Sequence, residues 1–178
     1  MTDQNLLFLA QSCHFDHASI FFAKILKFDP AVRAMCAADR CRSYGRRWTC
    51  PPGCGTLEEI AARAAGYCRG ILLQSTGMLE DDFDAETMME TERLQKERFA
   101  VYAAQVQKVY PDCFPMSSGA CELCVECTYP DFPCRFPDKA FPSMEACGLL
   151  VSQVCADCGI PYYYGRGTIT YSSCVLVN

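Results

Sequence analysis

The chain has 178 residues, 51% of them hydrophobic and 21% charged, with a formal net charge of −5. That is about one domain with enough apolar residues to bury a core, which excludes a disordered chain and argues against nucleic acid as the main partner. No run of about 18 apolar residues is present to predict a membrane span, and no basic stretch precedes Leu6–Ala10 as a signal peptide would need.

In chain order, the apolar runs Leu6–Ala10 and Ile20–Phe28 are expected as strands. Cys13 and the only two histidines, His14 and His17, lie in a polar loop between them. Their spacing would suit a metal, but a plain loop explains them as well. Asp29-Pro30 predicts a helix start, carrying the chain to Cys36. Residues 36–55 are then punctuated by glycine and proline as irregular loop. Thr56-Leu-Glu-Glu59 is a capping box for a helix with Leu57, Ile60, Ala61 and Ala64 on its apolar stripe and Cys68 in the core near its end. Gly70–Ser75 reads as a buried strand. The longest helix is expected over 85–110, with Phe99, Tyr102, Val106 and Val109 on one face and a Glu92–Lys96 pair. A short strand over 113–120 follows. A helix capped by Ser143 is expected to run to about Cys158, placing Met144, Cys147, Val151, Val154, Cys155 and Cys158 in the core. Ile160–Tyr164 and Thr168–Val177, with Cys174 in the core, complete a terminal hairpin. This order predicts a compact α+β single domain over 1–178, with a mixed or antiparallel sheet, three main helices and two cysteine-rich loop segments.

The chemistry is concentrated in fifteen cysteines. An odd count in a chain without an export signal points to metal-binding thiols in the cytoplasm rather than a secreted disulfide scaffold. Cys121, Cys124, Cys127 and Cys134 follow a C-x2-C-x2-C-x6-C pattern. Thiols three residues apart can wrap one compact inorganic body, as the C-x2-C-x2-C run of bacterial ferredoxins wraps a [4Fe–4S] cluster. Zinc, the alternative, more often joins two separated C-x2-C pairs. The second segment holds Cys36, Cys41, Cys50 and Cys54, with Cys50 followed by proline as ferredoxin patterns close. The simplest partition gives each segment one cluster. In an exchange, Cys50 completes the 121–127 run and Cys134 serves elsewhere. Cys54, between Gly53 and Gly55, is either a fourth ligand or a bystander; without it the second cluster has an iron open to substrate. Arg33, Arg40, Arg42, Arg46 and Arg47 surround this segment, where cations would stabilise a negatively charged cluster or dock an anionic partner.

Tyr44-Gly45, Trp48-Thr-Cys50-Pro51-Pro52, the C-x2-C-x2-C run, Pro133-Cys134-Arg135-Phe136-Pro137 and Ser143-Met144-Glu145-Ala146 occur in that order. On these motifs most of the chain resembles an uncharacterised prokaryotic family labelled predicted metal-binding proteins. The resemblance implies cysteine-bound metal and names no reaction. No Walker loop, dinucleotide-binding turn, radical-SAM C-x3-C-x2-C or hydrolase triad is visible, and two histidines leave little for acid–base work. The expectation is therefore an iron–sulfur protein with one or two [4Fe–4S] clusters, exchanging single electrons with a redox protein partner. The rival readings are a zinc-stabilised interaction module and an iron–sulfur enzyme with an open iron. Oligomeric state leaves no mark in the sequence.

Overall fold

The computed structural model describes residues 1–178. Four strands form one antiparallel sheet in the order β1-β2-β4-β3: β1 His17–Phe22, β2 Arg69–Met78, β3 Phe114–Met116 and β4 Thr168–Val177. Period-2 alternation sends neighbouring residues of β2 and β4 to opposite faces, and both faces are covered. Ile71, Leu73, Val175 and Val177 pack against α1 (Asp3–Ser12) and α4 (Ala85–Val109), meeting Leu6, Phe99, Tyr102 and Val106. Leu72, Cys174 and Leu176 face the other way, onto Ile60 and Ala64 of α3 (Leu57–Ala64), the 144–149 segment, and Val154 and Cys155 of α5 (Val151–Asp157). A helix α2 (Pro30–Ala37) completes the set, giving five helices where three main ones were expected. No helix is long and apolar enough to cross a membrane.

Two buried glutamines fasten the layers. Gln95 on α4 donates to the Leu73 carbonyl and to Ser173 Oγ, both at 3.1 Å. On the opposite face Gln74 donates to the Pro161 carbonyl and Ser172 Oγ, also at 3.1 Å, and accepts from the Tyr164 hydroxyl at 2.8 Å. Hydrogen-bonded side chains at these depths tie particular loops to particular strands, which apolar contacts alone do not specify. Gly70 permits the β1–β2–β4 crossing, since a Cβ there would stand 2.4 Å from Phe21 and 2.7 Å from Leu176.

Several sequence expectations give way. Leu6–Ala10 is not a strand but part of α1. Thr2 and Asn5 form a reciprocal capping box, and Leu6 and Ala10 are buried four residues apart while Phe8 is 70% exposed. The second apolar run pairs only over His17–Phe22, then bends through a single 3-10 turn at Ala23–Ile25. Cys13, His14 and His17 thus lie at a helix-to-strand junction: Cys13 is in the core and His17 stacks on Tyr164 at 4.0 Å. Cys68 is exposed, because α3 ends at Ala64 and leaves it outside the packed face. On α4 Val109 is exposed, and the buried face runs instead through Thr91, Gln95, Phe99, Tyr102, Ala103 and Val106. The strand expected over 113–120 shrinks to Phe114–Met116.

Ser143 accepts from Ala146 N, but that turn stops at Gly148, whose φ of +87° breaks the helix. The helix restarts at Val151. The Gly148 carbonyl accepts from Asp29 N at 2.8 Å, and Leu149 bridges to Phe28, so tertiary pairing replaces helical bonds there. The terminal hairpin is also absent. Residues 160–167 are loop, and β4 pairs with β2 along its length and with β3 over Cys174–Leu176.

The α1 assignment separates two side chains that a strand would place on one face. Leu6→Ala should cost about 2–5 kcal/mol in urea unfolding, by cavity formation. Phe8→Ala should stay within about 0.5 kcal/mol of wild type. Equal losses at both positions would contradict the helix.

Candidate metal centre

Both cysteine segments are loops hung from regular elements. Helix α2, capped by Asp29 accepting from Ala31 N at 2.8 Å, delivers Cys36 in its last turn. Beyond it the Asp39 carboxylate accepts from Tyr44 N at 2.9 Å, and Gly45, with φ +64°, donates to the Pro51 carbonyl at 2.8 Å. Cys54 N closes on the Cys50 carbonyl at 3.1 Å, and the Thr56–Glu59 capping box then opens α3. The second loop leaves β3 and returns to the same point. Ser117 N donates to the Pro142 carbonyl at 2.8 Å and Met144 N to the Ser117 carbonyl at 3.1 Å, pinching its base.

Within 118–142 there is no helix or strand, and the internal bonds are short-range: Phe132 N to the Thr128 carbonyl at 3.0 Å, Lys139 N and Ala140 N to the Phe136 carbonyl at 3.0 and 2.9 Å, Thr128 Oγ1 to the Pro133 carbonyl at 2.9 Å, and Arg135 to the Glu126 carbonyl at 2.8 Å. External ties hold it. Lys96 on α4 sits between Glu92 and Glu122, 2.8 Å from each. Trp48 of the first loop donates Nε1–H to the Phe132 carbonyl at 3.1 Å and meets the Tyr129 ring edge-on at 4.9 Å. Arg47 donates to the Cys121 carbonyl. Gly53 admits Tyr129, since a Cβ would lie 2.9 Å from that ring.

This docking brings thiols together. Cys121, Cys124, Cys127 and Cys134 line one cavity, closed on its other side by Arg47, Trp48 and Thr49. All four are half-buried while Glu122, Leu123, Val125 and Glu126 between them are exposed, so the x2 spacing sets the thiols on the inner side of the loop. The cavity is small, about 20 Å³. Cys36, Cys41 and Cys50 line a second cavity of about 360 Å³ together with Glu145. Cys54 stands apart. Its sulfur accepts from Arg33 at 3.4 Å, packs at the margin of the core, and faces a third cavity shared with Cys134. No three Cys, His, Asp or Glu side chains converge on a single ligating point.

Electrostatics follow from burial. Loss of water pushes Cys50 up to about 11, and also raises Cys36, Cys54 and Cys121. Neighbouring thiols raise Cys36 and Cys121 further, while Arg33 lowers Cys36 and Cys54, and Arg47 lowers Cys50 and Cys121. These thiols are protonated at neutral pH, so a metal must displace their protons, and the two arginines are placed to offset the charge left behind. Arg33 and Arg47 are the inward members of the basic group; Arg40, Arg42 and Arg46 are exposed.

The donor set suits a thiolate-bound metal or cluster. Every cysteine is free, four of them line one cavity, a guanidinium lies beside them, and buried Thr49 Oγ1 in the same lining has no partner. Sequence reading passed over Thr49, Ser118, Glu145 and Tyr171, which line these cavities. Thr49 and Glu145 lie inside the ordered motifs, as spacers between the residues that carry them. Ser118 carries no signal, because its place depends on where β3 ends.

No curated protein and no solved structure matches the chain. Residues 19–177, including both cysteine loops and all four strands apart from the first residues of β1, match the family described as "Predicted metal-binding protein (DUF2284)". The chain belongs to that family of predicted metal-binding proteins.

Proposed function

We propose that this chain is a cytoplasmic iron–sulfur protein that passes single electrons to or from a protein partner. In this reading Cys121, Cys124, Cys127 and Cys134 hold a [4Fe–4S] cluster, and Cys36, Cys41 and Cys50, with Cys54 beside them, form a second thiol site. The observation that carries it is the single cavity lined by all four cysteines of the C-x2-C-x2-C-x6-C run, with Arg47 against it. Such a cluster supplies reversible one-electron storage at a potential set by charge and hydrogen bonding around its sulfurs. The protein's own contribution is to fix the thiols and temper their charge. Arg47 holds the Cys121 carbonyl and presents its cation to Cys121 and Cys50 together. Lys96 anchors the loop to α4 through Glu122. Leu123, Val125, Phe132 and Phe136 expose apolar surface on the same loop, where a partner could approach the cluster closely.

The second reading is a structural zinc ion at 121–134, favoured by the enclosed space of about 20 Å³, which is the room of roughly one atom. Anaerobic reconstitution with iron and sulfide decides between them. The iron–sulfur reading expects acid-labile sulfide and a reducible EPR signal. Stoichiometric zinc in a colourless protein would overturn it.

Cys124→Ser should remove at least about one of the four irons of a cube bound at this loop. Cys68→Ser, outside both loops, should leave iron content unchanged. Arg47→Gln should lower the reduction potential by withdrawing a cation from the thiolates, whereas Arg47→Lys should remain nearer wild type. A potentiometric titration of the three proteins checks the order.

A further inference from the structure

The cavity beside Cys36, Cys41 and Cys50 extends well past the thiols. It lies where β4 begins and the chain leaves β3, and its volume of about 360 Å³ falls in the range of small-ligand sites. Its lining contains no lysine, arginine or histidine, although arginines are concentrated in the adjoining loop. Two carboxylates contribute instead. Glu92 is already paired with Lys96 at 2.8 Å, while Glu145 takes part in none of the chain's ion pairs. Tyr44, Tyr162 and Tyr171 add aromatic surface. Ser118, 6% exposed, belongs to the same wall, and its Oγ has no hydrogen-bond partner. A buried hydroxyl left unpaired is costly, and at a cavity wall a ligand can supply the missing bond.

We propose that this cavity binds a small organic ammonium ion, with Glu145 as counter-ion, tyrosine faces around the cation and Ser118 hydrogen-bonding the ligand. Carboxylates and aromatic faces attract positive charge, and an anion would meet no compensating group in the lining. The proposal deepens the reading of the Cys36–Cys54 segment as a functional site and rests on it only for the thiol wall.

Three probes of one shape and different charge test it on the reconstituted full chain: benzylamine, benzyl alcohol and benzoate, by isothermal titration calorimetry. Saturable binding of benzylamine is expected, with benzyl alcohol at least about tenfold weaker and benzoate silent. Ser118→Ala should weaken benzylamine about three- to tenfold and leave urea stability equal or higher, because it deletes an unpaired buried group. Glu145→Gln should weaken benzylamine and narrow its advantage over benzyl alcohol. Benzoate binding as well as benzylamine, no binding of benzylamine, or unchanged affinity in a more stable Ser118→Ala would each overturn the proposal. Iron and sulfide assayed on the same sample separate the two readings. A colourless protein that still takes benzylamine sinks the cluster alone; a cluster-bearing protein that does not take it sinks this site alone.

Discussion

Everything proposed for the metal depends on one loop-to-loop contact. Residues 118–142 contain no regular backbone ladder, and their own short-range hydrogen bonds leave the placement of the loop to outside contacts. What sets it is the turn at 47–53. Arg47 on the Cys121 carbonyl, Trp48 on Phe132 and Tyr129, and the bare Cα of Gly53 under the Tyr129 ring form three attachments. Each joins a residue of one cysteine segment to a residue of the other, more than 70 positions away in sequence. Neither segment is therefore a self-contained site. The four thiols of 121–134 see a wall built by residues 47–49, and the guanidinium that tempers them is borrowed from the neighbouring loop.

The layered sheet makes that contact possible. Because β2 and β4 run the full depth of the molecule with both faces covered, α4 and α3 are fixed on opposite sides. Helix α3 leads back into the 36–55 loop, and α4 supplies Lys96 to the 118–142 loop. The rigid part of the fold thus holds the two irregular parts at their roots, and the roots bring their tips together. Flexibility suited to accepting a metal is confined to segments whose ends are pinned.

What could be read from the sequence follows from which forces are local. The Thr56 capping box, the Asp29-Pro30 start and the long periodic helix over 85–109 rest on neighbours within four residues, and these elements are present. The antiparallel α+β class also holds. The misses share a cause. Leu6–Ala10 has the composition of a strand, but Thr2 and Asn5 cap a helix and the sheet has no place for it. Ser143 to Cys158 keeps a helical apolar period across Gly148, whose left-handed backbone only the Asp29 and Phe28 pairings explain. At the candidate site the cysteine spacing was visible, since it is local. Cys54 stood out in the sequence as either a fourth ligand or a bystander, but its contacts with Arg33 and the Ala146 carbonyl are long-range and left no local mark.

The raised thiols have a further consequence for a chain so rich in sulfur. Disulfide exchange and oxidation proceed through the thiolate, and a thiol held at about 11 or 12 offers almost none at neutral pH. Cys50 and Cys113 stand near 11, Cys158 near 12, and Cys147 and Cys174 are pushed up by burial as well. The dehydrated environment that makes these sulfurs reluctant to ionise also makes them slow to cross-link. Chemical attack is then directed first at the two exposed cysteines, Cys41 and Cys68.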